Sequence, residues 1–236
     1  MTDGRKATPG VAVVTGAASG IGAAIAAELS DRGWRVAGLD MRESGWDLGL
    51  EADVSDSSAV DAAIARVETE LGPVDAVVSA AGHYEIIPVA QITDVQWTRM
   101  LRVHVGGLLN LSRAVLSRMV DRGSGAIVAI TSELAIGGGS EDAHYAAAKG
   151  AVIGLVRSLA VEVAPSGVLV NAVAPGPTDT PLLPADSPWR DASYLATLPL
   201  GRLAAPEEIA LTVAFLIESG TFCSGEIISP NSGAVI

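Results

Sequence analysis

The sequence has little cysteine, few aromatic residues and few basic ones. Its 236 residues include one cysteine, Cys223, which cannot pair within the chain and has no metal-ligand spacing around it. We therefore expect no disulfide and no bound metal, and we expect Cys223 to be a small buried apolar residue. Aromatic residues make up 4% of a chain that is 49% hydrophobic, so we expect a core of alanine, valine, leucine and isoleucine.

Positive charge is scarce as well. Against 27 acidic residues there are 15 lysines and arginines, which gives a formal net charge of −12. Nucleic acids and anionic lipid surfaces are bound by clustered lysine and arginine, so an acidic chain is repelled by both. We expect neither nucleic acid nor a membrane as a partner.

Long apolar runs are also missing. No uninterrupted stretch reaches the roughly 20 residues of a membrane span, and the polar segment 1–10 (MTDGRKATPG) has no apolar signal-peptide region. These features predict a soluble, cytoplasmic protein. The length suits a single α/β domain over residues 1–236.

What the sequence does contain is an alternation of apolar strands and helical segments. Strands are predicted at 11–16, 35–40, 75–82, 125–132, 168–176 and 226–230, and helices at 21–33, about 95–122, about 145–165 and from Pro206 onward. Segment 41–52 is predicted to be a loop with at most one helical turn. Strands that are apolar throughout imply a parallel sheet covered on both faces, so we predict a doubly wound, Rossmann-type α/β fold with one long loop, residues 177–199, called the substrate loop below.

A glycine-rich turn follows the first strand and opens the first helix. Its glycines are Gly16, Gly20 and Gly22, a spacing that differs from the common Gly-x-Gly-x-x-Gly fingerprint, so a tight turn without a ligand is the alternative. Asp40 ends the second strand some 20 residues later, where an acid accepts hydrogen bonds from the adenosine ribose. Asp40 favours NAD over NADP, although Arg42 keeps a case for NADP.

Tyr145 and Lys149 stand four positions apart in an alanine-rich helical run, AHYAAAKGA. Residues at this spacing share one helix face, and a cation beside a phenol lowers the pKa of the phenol. The alternative is a partly buried tyrosine beside a solvated lysine.

In this order, the motifs resemble those of the short-chain dehydrogenase/reductase family, from Val11 to about Gly233. The matching elements are the turn from Thr15 to Gly22, Asp53-Val54, the SAAG segment from Ser79 to Gly82, Ser132, Tyr145-x-x-x-Lys149, and Pro175-Gly176 with Thr178 and Thr180. The resemblance implies NAD as the cofactor, with contacts from Gly16, Ser19, Gly20, Ile21, Gly22, Asp40, Met41, Asp53, Val54, Ala80, Ala81, Gly82, Val103, Tyr145, Lys149, Pro175, Gly176, Thr178 and Thr180.

The same resemblance implies the catalytic roles. Tyr145 would act as general acid or base, Lys149 would lower the pKa of Tyr145 and bind the nicotinamide ribose, and Ser132 would hydrogen-bond the substrate oxygen. Family members are usually tetramers or dimers, so a homo-oligomer joined through the helix of Tyr145 is expected. The apolar positions of that helix suit either an interface or the core of the chain itself; they are Val152, Leu155, Val156 and Leu159.

The sequence departs from the family pattern at two places. His104 stands where the family has an asparagine that supports a proton relay, and histidine, which titrates near neutrality, suits either a relay that is pH-sensitive or local packing. Ser79 and Ala80 replace two asparagines that brace neighbouring strands, which puts local rigidity in doubt. His83 and His144 are interpreted as polar residues at the rim of the cleft.

Substrate choice is assigned to the substrate loop and to residues 135–139. The loop offers Leu182, Leu183, Trp189 and Tyr194, with Asp186 and Arg190 as charged exceptions, which indicates a small, partly apolar substrate. We predict an NAD-dependent oxidoreductase that interconverts a secondary alcohol and its ketone. Several features resemble 2,3-dihydro-2,3-dihydroxybenzoate dehydrogenases, which oxidise a cyclic diol. A 3-oxoacyl-carrier-protein reductase and a non-catalytic dinucleotide-binding protein are the alternatives.

Overall fold

A computed structural model describes residues 9–235 of the chain. Seven parallel strands form one sheet in the order β3-β2-β1-β4-β5-β6-β7. Their bounds are β1 Val11–Thr15, β2 Arg35–Asp40, β3 Leu48–Glu51, β4 Val74–Ser79, β5 Gly125–Ile130, β6 Val168–Val173 and β7 Ile227–Ile228. The predicted doubly wound α/β fold in a single domain is confirmed.

Helices cover both faces of the sheet. They are α1 Gly20–Asp31, α2 Ser57–Glu70, α3 Asp94–Leu101, α4 Gly107–Arg122, α5 Leu134–Gly137, α6 Ala143–Val163, α7 Ala192–Leu195 and α8 Pro206–Glu218. Side chains of β1 alternate between two apolar cores: Val11 and Val13 pack with α2, α4 and α6, whereas Ala12 and Val14 pack with α1 and α8. This alternation is the reason that β1 is apolar at four successive positions, Val11 to Val14.

Several elements differ from the sequence prediction. The segment 41–52 contains β3, a four-residue edge strand that includes a glycine, so the prediction of a loop was wrong there. Helix α2 was not predicted; Asp56 caps it by accepting the backbone N–H groups of Ser58 and Ala59. The predicted helix at 95–122 is interrupted by a π-helical segment, Arg102–Gly106, of the kind that is frequent at functional sites.

The apolar positions of α6 belong to the core of the chain itself. Val152, Val156 and Leu159 are buried against the sheet, and Leu155 packs beside them. The sequence pattern is therefore explained without a second subunit. Cys223 is buried, as predicted. Within residues 9–235, no helix is both long and apolar enough to cross a membrane.

Strand order reverses between β1 and β4, because β2 lies on one side of β1 and β4 on the other. In open parallel sheets, ligands bind outside the carboxyl ends of the strands at such a reversal. The turns that follow β1, β2, β4, β5 and β6 all meet at this edge.

Candidate active site

A cavity of about 510 Å³ opens at the carboxyl edge of the sheet. Every residue predicted to bind the dinucleotide or to take part in catalysis lines it. They are Gly16, Ser19, Gly20, Ile21, Gly22, Asp40, Met41, Asp53, Val54, Ala80, Ala81, Gly82, Val103, His104, Ser132, Tyr145, Lys149, Pro175, Gly176, Thr178 and Thr180. One cavity therefore joins residues as distant in the sequence as Gly16 and Thr180, which are 164 positions apart.

The glycine turn forms a backbone cradle in which Gly16 and Gly22 have no room for side chains. Gly16 has a φ of 70°, in the left-handed region that favours glycine. A Cβ on Gly22 would lie 2.2 Å from the carbonyl oxygen of Gly16. Helix α1 begins at Gly20 and has no acidic residue in its first turn, so its free N–H groups face the cavity edge without a competing anion. The cradle fits the diphosphate of a dinucleotide.

Thr15 braces the wall opposite this turn. Its hydroxyl oxygen accepts the backbone N–H of Ala80 at 3.0 Å and that of Ala81 at 3.1 Å. The SAAG segment lacks the two asparagines of the family, but a threonine on the neighbouring strand holds its backbone. Two hydrogen bonds to Thr15 therefore hold the backbone of this segment where the asparagines are missing.

Asp40 and Arg42 sit together at the outer end of the cavity. The Asp40 carboxylate accepts the N–H of Ala18 and the N–H of Arg42, each at 3.1 Å. The Arg42 guanidinium donates to the Ser19 hydroxyl at 2.8 Å, and its Nε lies 3.8 Å from the Asp40 carboxylate. An acid for ribose hydroxyls and a cation for a ribose phosphate thus share one place.

Ser132, Tyr145 and Lys149 meet at the inner end of the cavity. The Lys149 ammonium donates to the carbonyl of Ile130 at 2.8 Å, and its nitrogen lies 5.6 Å from the centre of the Tyr145 ring. The Thr131 hydroxyl donates to the carbonyl of Lys149 at 2.8 Å. These bonds tie α6 to the end of β5, so the residues that the sequence places 13 to 17 positions apart share one wall.

Burial shifts the pKa values of the two titratable groups on this wall, Tyr145 and Lys149. Burial raises the pKa of Tyr145, with a further rise from the nearby Glu133 carboxyl. Burial lowers the pKa of Lys149 to about 7, so near neutrality the ammonium carries only part of its charge. That Lys149 lowers the pKa of Tyr145 stays a prediction; a hydrogen bond with Ser132 opposes the rise in the pKa of Tyr145.

His104 lies on the π-helical segment and is buried beside Tyr145. The two ring centres are 5.6 Å apart at an interplanar angle of 90°. Nε2 is 2.9 Å from the carbonyl oxygen of His83, which places the proton on Nε2 and leaves Nδ1 as an acceptor. Burial lowers the pKa of His104 well below its ordinary value. Burial therefore favours the neutral ring, and a pH-sensitive relay through His104 stays a prediction.

A polar bridge crosses the top of the cavity and could not be read from the sequence. The Tyr84 hydroxyl donates to Asp142 at 2.7 Å and accepts the indole N–H of Trp189 at 3.0 Å. The Tyr84 ring also packs edge-on against Tyr145, with centres 4.9 Å apart. Trp189 belongs to the substrate loop, so this bridge ties the loop to a place above Tyr145.

Several expected substrate contacts are absent from the cavity wall. Residues 135–139, Asp186 and Tyr194 do not line it, whereas Glu133, Arg99 and Tyr84 do and were not predicted. Arg190 donates to the carbonyls of Leu183 and Thr180 and pairs with Asp179 at 2.7 Å, which makes it an anchor of the loop.

His83 and His144, the two other histidines near the site, differ in whether they line the cavity. His83 lines the cavity, as expected of a rim residue. His144 is fully buried and lies outside the cavity wall, so its interpretation as a rim residue was wrong. Burial lowers the pKa of His83 below its ordinary value.

Fold and site together define an oxidoreductase of the Rossmann-like α/β class. The chain belongs to the short-chain dehydrogenase/reductase family: the family model described as enoyl-(acyl carrier protein) reductase matches residues 16–234.

Characterised relatives cover nearly the whole chain. A cis-4-hydroxycyclohexanecarboxylate dehydrogenase of Sinomonas cyclohexanicum is 40% identical over 240 residues, which is 94% of this chain and 95% of the relative. The 3-oxoacyl-[acyl-carrier-protein] reductase FabG of Escherichia coli K12 is 36% identical over 234 residues, with 94% and 96% covered. A crystal structure of 3-ketoacyl-(acyl-carrier-protein) reductase from Brucella melitensis complexed with NADH superposes with a TM-score of 0.89 at 27% identity, covering 96% of this chain and 98% of that one.

Proposed function

We propose that the protein is an NAD-dependent dehydrogenase of a small secondary alcohol, with Tyr145 as its acid-base group. The observation that carries the proposal is the single cavity that has the glycine cradle and Asp40 at one end and Ser132, Tyr145 and Lys149 at the other. When bound, NAD supplies the hydride acceptor, so that alcohol and NAD⁺ give ketone, NADH and a proton.

The chain's own residues account for the proton. Tyr145 takes the hydroxyl proton of the alcohol during oxidation and returns it during reduction. Ser132 holds the substrate oxygen by a hydrogen bond, and Lys149 holds the ribose beside it. The bridge of Tyr84 and Trp189 keeps the loop closed over the tyrosine and limits the access of water.

His104 is assigned a relay role in this proposal. Its Nδ1 is buried and has no hydrogen-bond partner among residues 9–235, and it lies next to both Tyr145 and Lys149. A neutral ring with one donor and one acceptor passes a proton by exchanging them. His104→Asn, which keeps a donor and an acceptor, is expected to retain activity that His104→Phe loses, especially where proton transfer limits the rate.

Preference for NAD rests on Asp40. A carboxylate at this place accepts hydrogen bonds from ribose hydroxyls and repels a ribose phosphate. The neighbouring reductase from Brucella melitensis was crystallised with NADH. Arg42 is the opposing feature, because its guanidinium could pair with the phosphate of NADP.

A compact cyclic alcohol suits the substrate end. Leu182, Leu183 and Trp189 line it with apolar surface, and the dehydrogenase from Sinomonas cyclohexanicum is named for a hydroxylated cyclohexane ring. Arg99, which lines the same cavity, offers a partner for a carboxylate on such a ring. A cyclic diol of the dihydrodihydroxybenzoate type belongs to the same size class.

A 3-oxoacyl-carrier-protein reductase is the second candidate. It is supported by the description of the family model and by the FabG relatives. Against it stands the formal charge of −12, because carrier proteins are acidic and dock on basic patches. Turnover of an acetoacetyl thioester with NADPH, at a higher kcat/KM than any cyclic alcohol, would establish this candidate instead.

A homo-oligomer is part of the proposal. The outward side of α6 presents small residues, including Ala147, Ala151 and Gly154, and Val161 on that helix is 80% exposed. Small side chains let a second copy of the helix approach closely. Light scattering after size exclusion is expected to give a dimer or a tetramer, and a monomer would refute this part.

The proposed function is tested by cofactor titration followed by a turnover panel. NADH and NADPH are titrated by fluorescence, and NAD⁺ or NADP⁺ reduction is then followed by absorbance with cyclohexanol, cis-4-hydroxycyclohexanecarboxylate, a cyclic diol and linear secondary alcohols. Tighter NADH binding with turnover of a cyclic alcohol is the expected result. Dinucleotide binding without turnover of any alcohol or thioester would point to a non-catalytic binder.

A further inference from the structure

A buried carboxyl group directly follows the serine that is proposed to hold the substrate oxygen. Glu133 is 6% exposed and lines the cavity. Its Oε2 accepts the Ser132 hydroxyl at 2.8 Å. The proposed reaction needs Ser132, Tyr145 and Lys149 but gives this carboxyl group no task, and burying it without one is costly.

The hydrogen bonds of Ser132 can be counted. A serine hydroxyl has one proton to donate and two lone pairs to accept with. The Leu134 N–H donates to Ser132 Oγ at 3.1 Å, which uses one lone pair. While Glu133 is ionised, the proton points at its carboxylate, so Ser132 has one lone pair left for its other neighbours, the Tyr145 hydroxyl and a ligand in the cavity.

Protonation of Glu133 reverses this arrangement. A carboxylic acid donates its own proton to Ser132 Oγ, so both lone pairs of the serine are then taken, by Glu133 and by the Leu134 N–H. The serine proton is released and can point to the Tyr145 oxygen or to a ligand in the cavity. Ser132 therefore accepts from a ligand when Glu133 is ionised and donates to a ligand when Glu133 is protonated.

An alcohol and a ketone respond differently to these two states. An alcohol has a hydrogen to donate to the serine lone pair, whereas a ketone oxygen only accepts. We propose that Glu133 is a positioning residue that sets the direction of the Ser132 hydroxyl, and thereby the relative affinity of the site for ketone and alcohol. The inference rests on the proposed function, in which Ser132 contacts the substrate oxygen.

The surroundings of Glu133 place the change within reach of physiological pH. Burial raises the pKa of Glu133 to about 7, against the lowering by its bond from Ser132. Titratable groups face it from α6, where Tyr145 and Lys149 lie, from Asp142 just before that helix, and from Tyr194 on α7. Lys149 titrates in the same range, so its contribution has to be separated by variants of Glu133.

The test measures two unreactive ternary complexes from about pH 6 to about pH 9, on either side of the Glu133 pKa. Cyclohexanone or 4-oxocyclohexanecarboxylate is titrated in the presence of NAD⁺, and the corresponding alcohol in the presence of NADH. In the wild-type protein, ketone affinity is expected to fall about tenfold over this range, the worth of one hydrogen bond, while alcohol affinity does not fall in parallel.

Two variants make the outcome decisive. Glu133→Gln and Glu133→Leu cannot ionise, so in both the pH dependence of the ratio of ketone to alcohol affinity is expected to disappear. Either variant suffices if the other fails to fold. Glu141→Gln removes an exposed carboxylate that does not line the cavity and is expected to keep the wild-type dependence.

Persistence of the wild-type pH dependence in the Glu133 variants would overturn the inference and assign it to Lys149. Equal pH behaviour of ketone and alcohol in the wild-type protein would overturn it as well. Failure of the proposed function looks different, because then the wild-type protein would bind no dinucleotide or turn over no alcohol at any pH.

Discussion

The two halves of the cavity are built in different ways. In the dinucleotide half, formed by residues 15–22, Asp40 and the SAAG segment, backbone groups do most of the work: Gly22 leaves no room for a side chain, and Thr15 holds the amides of Ala80 and Ala81. In the substrate half, formed by Ser132, Glu133, Tyr145, Tyr84 and Trp189, side chains bond to one another: Ser132 to Glu133, and Trp189 to Tyr84, which also bonds to Asp142.

The two halves differ in how much they depend on the particular side chains of this chain. A backbone cradle depends on glycine and on strand ends, so it is the same for any chain with this turn. A network of buried side chains changes whenever one member is replaced, because each polar partner left alone costs free energy. Cofactor binding is therefore expected to survive changes in the substrate half. Substrate binding is likewise expected to survive changes in the dinucleotide half.

The sharpest separation of the halves is expected from Tyr145→Phe. Loss of the acid-base hydroxyl should lower kcat/KM about 1000-fold, whereas the NADH dissociation constant should stay within about twofold because the ring remains. Steady-state kinetics and fluorescence titration measure the two quantities. Tyr194→Phe, at a residue outside the cavity wall, is the control, and equal losses in both variants would break the comparison.

The next largest effect concerns stability and pH. Because burial raises the pKa of Glu133 from 4.5 to about 7, the folded state binds this proton more tightly than the unfolded state. The contribution is fully present below about pH 4.5 and is lost as the pH rises through about 7. Glu133→Gln does not ionise, so its unfolding free energy relative to wild type should rise by up to about 3 kcal/mol between those pH values.

Urea denaturation at fixed protein concentration, at about pH 5 and about pH 8, measures this difference across the Glu133 transition. Glu141→Gln serves as the control for the loss of one acidic charge and should show no such rise. An unchanged difference between the two pH values for Glu133→Gln would contradict the burial argument.

A change at Asp40 is expected to act on the dinucleotide half alone. Asp40→Asn keeps an oxygen that can accept the Ala18 N–H but removes the charge that repels a ribose phosphate. The ratio of NADPH to NADH affinity should rise about tenfold, with the pH dependence of substrate binding unaltered. Glu43→Gln, an exposed acid in the same loop, should leave the ratio unchanged; a rise there would mean that overall charge decides.

The smallest effects come from a matched pair of tryptophans. The indole N–H of Trp189 donates to Tyr84 in the substrate half, and that of Trp46 donates to the carbonyl of Ala17 in the glycine turn, each at 3.0 Å. Trp189→Phe should raise the substrate KM about threefold, and Trp46→Phe should weaken NADH binding by about the same factor. If either variant changed both quantities, the two halves would be coupled.

Sequence reasoning succeeded where a feature is local. Continuous apolar runs such as VAVVT and VLVNAV predicted buried parallel strands, and the glycine turn with Asp40 marked one end of the cavity. It failed for β3, whose four residues include a glycine and lie at a sheet edge, and for α2, whose outer face is charged and whose apolar stripe is narrow. Long apolar segments can be predicted from the sequence pattern, whereas short or half-polar segments cannot.

In the substrate half, the features that the sequence did not predict depend on tertiary contacts. Glu133 looks like an ordinary polar residue after a strand, and only the packing of α6 and α7 around it makes its carboxyl group unusual. The bridge of Tyr84, Asp142 and Trp189 joins residues 58 and 105 positions apart, for which no local pattern exists. The lowered pKa of His104 likewise follows from burial, which residue type alone does not give.

Both halves are proposed to act on one substrate by direct hydride transfer. NMR of the cofactor after wild-type turnover of a carbinol-deuterated cyclic alcohol with NAD⁺ tests this transfer. The deuterium is expected in the reduced nicotinamide, and none is expected in water. Release of the deuterium to water, or an unlabelled reduced cofactor, would contradict it.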